Sequence, residues 1–308
     1  MAQAQSAVLV EGESFGLFLI AVVAEGEAAA TTVCRVAAAL PALTQAIAAR
    51  LGDSSLVSVI AFGAAVWPRL FAVDKPVGLA PFAPLADGPR RAPATPGDLF
   101  IHIHSGRHDA NFVLAREVVK RLGPAVRLVE EVHGFKYLDG RDLIGFVDGT
   151  ENAKGEERAG VALVGVEEPA FAGGSYVSVQ RYVHDLGRWE ALPEAAQEQA
   201  VGRTRDDDRE LDDADKPPSA HIARVVIEEE GEELEILRHS LPYGTTSEHG
   251  LYFVAYCRSP APFRKMLERM VLRDGEGHAD RLLDFTTPVT GAAFFAPSVE
   301  FLEAAGRS

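Results

Sequence analysis

The sequence predicts an α+β fold in which two similar modules pack together. Three observations lead there. Short apolar or β-branched runs bounded by glycine and proline recur along the whole chain, and helix-like segments fall between them in both halves. The 308 residues with 47% hydrophobic content suffice for one large core or two smaller ones. In chain order, the strand candidates are residues 7–10, 17–23, 98–104, 175–182, 221–226, 234–240 and 250–256. The helix candidates are the alanine-rich stretch 28–51, then 109–122, where Phe112, Leu114, Val118 and Leu122 fall near helical spacing, and 261–272 after Pro260. Each half thus reads roughly strand, helix, strand, strand, helix, strand, although no repeat is visible in the residues themselves. Residues 154–168 and the acidic stretch 206–215 read as exposed connections.

A formal charge of −15 offers no source of phosphate neutralisation, so neither nucleic acid nor an anionic membrane is an expected partner. Cys34 and Cys257, the only two cysteines, sit in apolar surroundings and read as reduced core thiols. The opening MAQAQSAVLVEGESFG lacks a basic, apolar leader, and no apolar run approaches the ~18 residues of a membrane span. A cytoplasmic protein is expected.

The residues that carry chemistry begin at Gly145-Phe146-Val147-Asp148-Gly149-Thr150-Glu151-Asn152, where an apolar approach and a following glycine present Asp148 at a sharp bend. An Asp-Gly pair alone is a common turn signal. His221 follows Pro217-Pro218-Ser219, which forces an extended approach into the apolar element HIARVVI. On that evidence it is either a satisfied core histidine or a buried ligand. Alternation across 234–240 puts Leu234, Ile236, Arg238 and Ser240 on one face and Glu235, Leu237 and His239 on the other. Arg238 then ends an apolar stripe, as a surface residue, a structural ion pair or a cation aimed at a developing anion. His102 and His104 share a strand face and could ligate a metal, but no third ligand is identifiable. His133, His184, His239, His249 and His278 carry no spacing signal.

The segment FKYLDGRDLIGFVDGTEN, residues 135–152, closely resembles the signature of dye-decolourising peroxidases. The resemblance continues through 7–18, GSYVSVQRYVHDL (174–186), GRTRDDDRELDD (202–213), KPPSAHIAR (216–224), ILRHSLPYG (236–244) and LDFTTPVTGAAFFAPS (283–298). It is nearest to the B subtype, because the large insertions of other subtypes are missing. The resemblance implies a pair of ferredoxin-like modules of the dimeric α+β barrel type, antiparallel sheets backed by helices. These would span residues 1–140 and 141–308, the second carrying one non-covalent haem b.

By the same resemblance, His221 is the axial ligand of the haem iron, Asp284 accepts its second N–H, and Arg203 pairs with a propionate. Asp148 and Arg238 act on hydrogen peroxide at the distal face and lead to Compound I, which then oxidises dyes, phenols or other small or surface-bound reductants. Trp189 and Tyr243 are available to carry electrons, although such aromatics usually serve packing. Ser240 stands where many B-type members have an asparagine, which shifts the catalytic weight to Asp148 and Arg238; Ala153 replaces the usual proline after Thr-Glu-Asn. Covalent haem is excluded by the lack of a C-x-x-C-H sequence. A homo-oligomer is expected, and an encapsulating shell is left open. The competing readings are a haem-handling protein with incidental turnover and chlorite dismutase-like chemistry, against which the G-x-x-D-G segment argues.

Overall fold

In a computed structural model, which describes residues 2–12 and 14–307, eight antiparallel strands close into one barrel. They are β1 (Phe15–Val23), β2 (Val57–Gly63), β3 (Leu99–Ser105), β4 (Val126–Phe135), β5 (Ser175–His184), β6 (Leu241–Gly244), β7 (His249–Cys257) and β8 (Ala292–Ala296). Around the ring the order is β1, β3, β2, β8, β5, β7, β6, β4 and back to β1. Strands β1 to β4 come from the N-terminal half and β5 to β8 from the C-terminal half. Neither half could close its sheet alone, so the two share one continuous hydrogen-bonded ring rather than meeting as separate packed bodies.

Strand alternation divides the apolar residues between two cores. Phe18, Ile20, Phe100, Val177, Val179, Tyr252, Val254, Tyr256 and Phe294 fill the barrel. Leu17, Leu19, Ile60, Phe62, Leu99, Ile101 and Ile103 point outward beneath helices α1 (Glu27–Leu51), α2 (His108–Leu122) and, near the C-terminus, Val299–Ala305. Of the described helices, α1 is long and apolar enough to cross a membrane, which the sequence reading had excluded. Here Val33, Val36, Ala37, Leu40 and Ile47 bury its inner face in the core against β1 to β3. The outer face of β5 and β7 is covered differently, by α4 (Ala261–Val271) at one end and by a deep cleft at the other.

Several strand assignments need correction. Residues 7–10 form a turn: Ala7 N–H reaches Ser58 O at 3.2 Å and Val8 N–H returns to Gln5 O at 3.0 Å, so no ladder develops, and both side chains plug the barrel. Residues 221–226 become the short helix α3 (His221–Val225). Within 234–240 only Leu237–Arg238 pairs as strand, opposite Tyr256 and Ala255 of β7. The connection 154–168 contains a helical turn, Glu157–Ala162. Strands β2, β4, β6 and β8 went unassigned; β4 is disguised by Glu130-Glu131, of which Glu130 pairs with Arg181 at 2.8 Å.

His102 and His104 do share a strand face, but it points into the barrel, where His239 joins them with ring centroids 6.1 and 5.7 Å away. The described residues present no cluster able to hold a metal ion. His102 Nδ1 meets Tyr256 Oη at 2.9 Å and His239 Nε2–H donates to Val8 O at 3.0 Å. Burial, reinforced by mutual repulsion, holds His102 and His104 far below the ordinary imidazole value of 6.5. Burial, reinforced by Arg158, brings His239 down to about 4. All three are therefore neutral in the fold, whereas the unfolded chain takes up their protons below pH 6.5. The stability they contribute is intact above about pH 6.5 and is lost as pH falls towards 4 and below, with a slope approaching about 4 kcal/mol per pH unit for three protons. Urea midpoints recorded from pH 7 to pH 5 should fall steeply, and His104→Leu should remove about one proton from the slope. A pH-independent midpoint would refute the neutral cluster.

Candidate active site

The cleft lies outside the C-terminal half of the barrel and is walled by apolar residues from several elements, among them Ile144, Phe146, Leu234, Ile236, Leu251, Phe253, Phe263 and Met266. His221 enters it from the first position of α3. Its Nδ1 lies 2.7 Å from Oδ2 of Asp280, a fully buried carboxylate whose other oxygen accepts the Leu282 N–H at 2.9 Å. Such a partner fixes Nδ1 as the protonated nitrogen and aims the ring. Arg281 N–H donates to Ser219 O at 2.9 Å, which ties the loop of Asp280 to the segment leading into α3.

Asp284, the expected partner of His221, is elsewhere. It ends the 3-10 turn Arg281–Asp284, and its Oδ1 meets Arg90 at 2.6 Å on the protein surface. The acid that caps the start of this turn, one turn upstream, reaches the histidine instead.

The cleft also takes polar groups from a loop, at Asp148, and from a short strand, at Arg238. Asp148 sits after Gly145, whose φ of +92° favours glycine and whose nearest neighbour is the guanidinium end of Arg205. Asp148 N–H donates to Gly140 O at 3.1 Å, closing the loop on itself. The Asp148 carboxylate lies 3.8 Å from the Arg238 guanidinium, and both residues line the cleft. Burial raises the Asp148 pKa; the Arg238 charge opposes this and the neighbouring Asp142 carboxylate adds to it. The net direction is upward, which the residue pattern alone could not decide.

Asn152, in the same motif as Asp148, accepts Arg238 N–H at 2.9 Å and donates to Arg238 O at 2.8 Å. This two-bond clamp sets the spacing between the acid and the arginine; Asn152 was quoted in the motif without a role. Ser240 follows the strand of Arg238 and does not line the cleft. Its Oγ is buried with no hydrogen-bond partner among the described residues. Arg203 lines the cleft and is drawn towards Glu151, with further contacts to Asp208 O at 2.9 Å and Glu210 at 3.9 Å.

A second histidine, His184, also borders the cleft, with its ring nitrogens bonded to Asp142 and Thr286. Trp189 is buried against Phe146 and Phe285, and its indole N–H is held by Ile144 O at 2.8 Å. Tyr243 is buried in the barrel wall, where its hydroxyl donates to Tyr182 O at 3.1 Å. Cys34 and Cys257 are free buried thiols whose pKa values burial raises, as inert core residues require.

Comparison with known proteins agrees with this geometry. Residues 5–136 match the Dyp-type peroxidase N-terminal family and residues 139–301 the C-terminal family. The chain is 45% identical over 292 residues to a dye-decolorizing peroxidase of Mycobacterium tuberculosis, covering 93% of this chain and 86% of the relative. An encapsulated DyP-type peroxidase from Mycobacterium smegmatis superposes with a TM-score of 0.94 at 41% identity, covering 98% of each chain. A Rhodococcus jostii DypB variant in complex with heme also gives 0.94, at 42% identity over 99% of each chain. With both domain families matched across most of its length and full-length relatives above 40% identity, the chain belongs to the Dyp-type peroxidase family.

Proposed function

We propose that this peroxidase holds one non-covalent haem b in the cleft through His221 and uses Asp148 and Arg238 to reduce hydrogen peroxide, with dyes, phenols or other small or surface-bound molecules as electron donors. One observation carries the reading. A single apolar cleft brings a histidine backed by a buried carboxylate together with an aspartate–arginine pair 3.8 Å apart. The donor set fits the group: Asp280 occupies Nδ1 of His221, no hydrogen bond among the described residues engages Nε2, and the surrounding wall is apolar. The Rhodococcus jostii neighbour in complex with heme supports the same assignment.

Bound haem would supply the redox chemistry on peroxide. The chain's own groups supply position and protons. Asp280 keeps His221 oriented and electron-rich. Asp148 would take a proton from one peroxide oxygen and return it to the departing one, and its upward-shifted pKa brings it nearer the range in which a carboxyl exchanges protons readily. The Arg238 charge stabilises the negative charge that develops on that oxygen. Arg203 is the cation we place against a propionate, shared with its acidic neighbours. A haem carrier would need the ligand and the apolar wall, but not an acid and a cation held in register by Asn152; this favours the enzyme.

The finer architecture belongs to the same reading: ferredoxin-like modules at 1–140 and 141–308, supported by the four strands that each half lends to the barrel. So does a cytoplasmic homo-oligomer. The encapsulated relative makes packaging in a protein shell worth testing by co-expression with a shell protein.

Arg238→Ala should slow the peroxide step at least as much as Asp148→Ala. The expected losses are about 10²–10³-fold for the former and about 10²–10⁴-fold for the latter. Ser240→Ala should be nearly silent, with haem retained in all three. Stopped-flow absorbance reads the ranking, and a slow Ser240→Ala beside a normal Arg238→Ala would show that the distal groups are misassigned.

On the opposite side, His221→Ala should lose haem occupancy. Asp280→Ala should keep haem but raise its reduction potential, because the imidazole loses its negatively charged acceptor. Asp284→Ala should do neither. Spectroelectrochemical titration decides between the two acids.

A further inference from the structure

We propose that His184 is the positioning residue for the distal carboxylate, anchoring through Asp142 the loop that presents Asp148; this rests on the distal role of Asp148 argued above. His184 is the last residue of β5 and is buried, as is Asp142. Its Nε2 lies 3.0 and 3.1 Å from the two Asp142 carboxylate oxygens, and its Nδ1 lies 2.7 Å from Thr286 Oγ1. The acceptor-only carboxylate requires Nε2 to be the donor, so Nδ1 accepts from the Thr286 hydroxyl when the ring is neutral. Both ring nitrogens are then used, and the ring is fixed to the barrel through Thr286, which pairs with His184 in the sheet.

Asp142 passes this fixity to the loop. Its N–H donates to Phe146 O at 2.9 Å and its own carbonyl accepts Gly145 N–H at 2.8 Å, which closes the turn three residues before Asp148. Asp148 N–H then returns to Gly140 O at 3.1 Å. Within residues 140–148 the buried Asp142 carboxylate is tied to the barrel by His184, beside the bond from the Trp189 N–H to Ile144 O and those from Arg141 to Arg205 O and Asp206 O. Asn152 fixes the far side of the motif to Arg238. Asp148 lies between these two attachments, so its distance from Arg238 depends on both. Removing the imidazole also leaves Asp142 without its ring donor in a buried setting beside Asp148, an outcome that favours rearrangement of the loop.

The test uses hydrogen exchange on the apoprotein together with peroxide kinetics on the haem-loaded protein. His184→Leu should speed exchange of the Leu143, Gly145 and Asp148 amides by roughly 10–100-fold, the cost of one charge-assisted hydrogen bond. It should slow the peroxide step by about tenfold or more while haem stays bound. His184→Gln, whose Nε2 can stand near the ring Nε2, should restore both values to within about threefold. If His184→Leu does not fold, Asp142→Asn provides the same two readouts. Unchanged exchange in residues 139–148, or failure of a folded Gln variant to restore it, overturns the proposal. A loosened loop with an unchanged peroxide rate also overturns it if Asp148→Ala is slow. If Asp148→Ala is equally fast, that result instead overturns the catalytic role of Asp148.

Discussion

Strand β7 is hydrogen-bonded along both edges, to β5 on one side and to β6 with Leu237–Arg238 on the other, and this double pairing sets the positions of both the core and the cleft. Its alternation sends Tyr252, Val254 and Tyr256 into the barrel while Leu251 and Phe253 face the cleft. A slip of one residue would exchange these sets, placing tyrosine hydroxyls against the apolar wall and phenylalanine among the buried histidines. The register opposite Arg238, which pairs with Ala255, is part of the same ladder. The position of Arg238 is therefore fixed by the sheet that closes the barrel, and a rigid strand is a better support for an arginine than a loop would be.

The acid opposite Arg238 is on a loop, and its position is built from backbone contacts. Gly145 allows a conformation with positive φ, Gly140 O captures Asp148 N–H, and Asn152 binds both backbone polar groups of Arg238. These are amide bonds of ordinary strength, each about 1 kcal/mol net. Their value lies in geometry: they hold the carboxylate 3.8 Å from the guanidinium, a looser contact than a hydrogen-bonded ion pair, and on the reading proposed above this keeps it free to carry a proton. The upward shift of Asp148 reflects the same balance, since burial outweighs an arginine kept at that distance.

Much of this was legible in the residues. Leu234, Ile236 and Arg238 share the cleft as alternation predicts, but Glu235 of the opposite face lines it too and Ser240 does not, because 234–236 are not strand; the turn signal at Asp148 corresponds to a sharp presentation of the acid. What failed has physical causes. The 7–10 segment has strand composition but only one ladder-like bond, and tertiary packing kept it as a plug. Glycine or proline borders both β2, at Gly63, and β4, at Gly123-Pro124, but the pairing that closes the eight strands into a ring is a long-range property that no single segment displays. Asp284 is the partner the resemblance implies; Asp280 lies four residues upstream, and local sequence does not say which of the two acids is buried. His239 joined His102 and His104 from another half of the chain, a contact that no spacing encodes.

The two histidines that border the cleft show why spacing could not select the ligand. His221 and His184 are each hydrogen-bonded to a buried aspartate, at 2.7 and 3.0 Å. They differ in the other ring nitrogen. Thr286 occupies the second nitrogen of His184, so that ring is spent on structure. No described residue bonds Nε2 of His221, which lines the apolar cleft, so on the reading proposed above that nitrogen is the one left for an iron centre. On the reading proposed above, the difference between a structural and a ligating histidine rests on one neighbouring threonine, because a hydroxyl bonded to the second ring nitrogen leaves that nitrogen nothing to offer a metal.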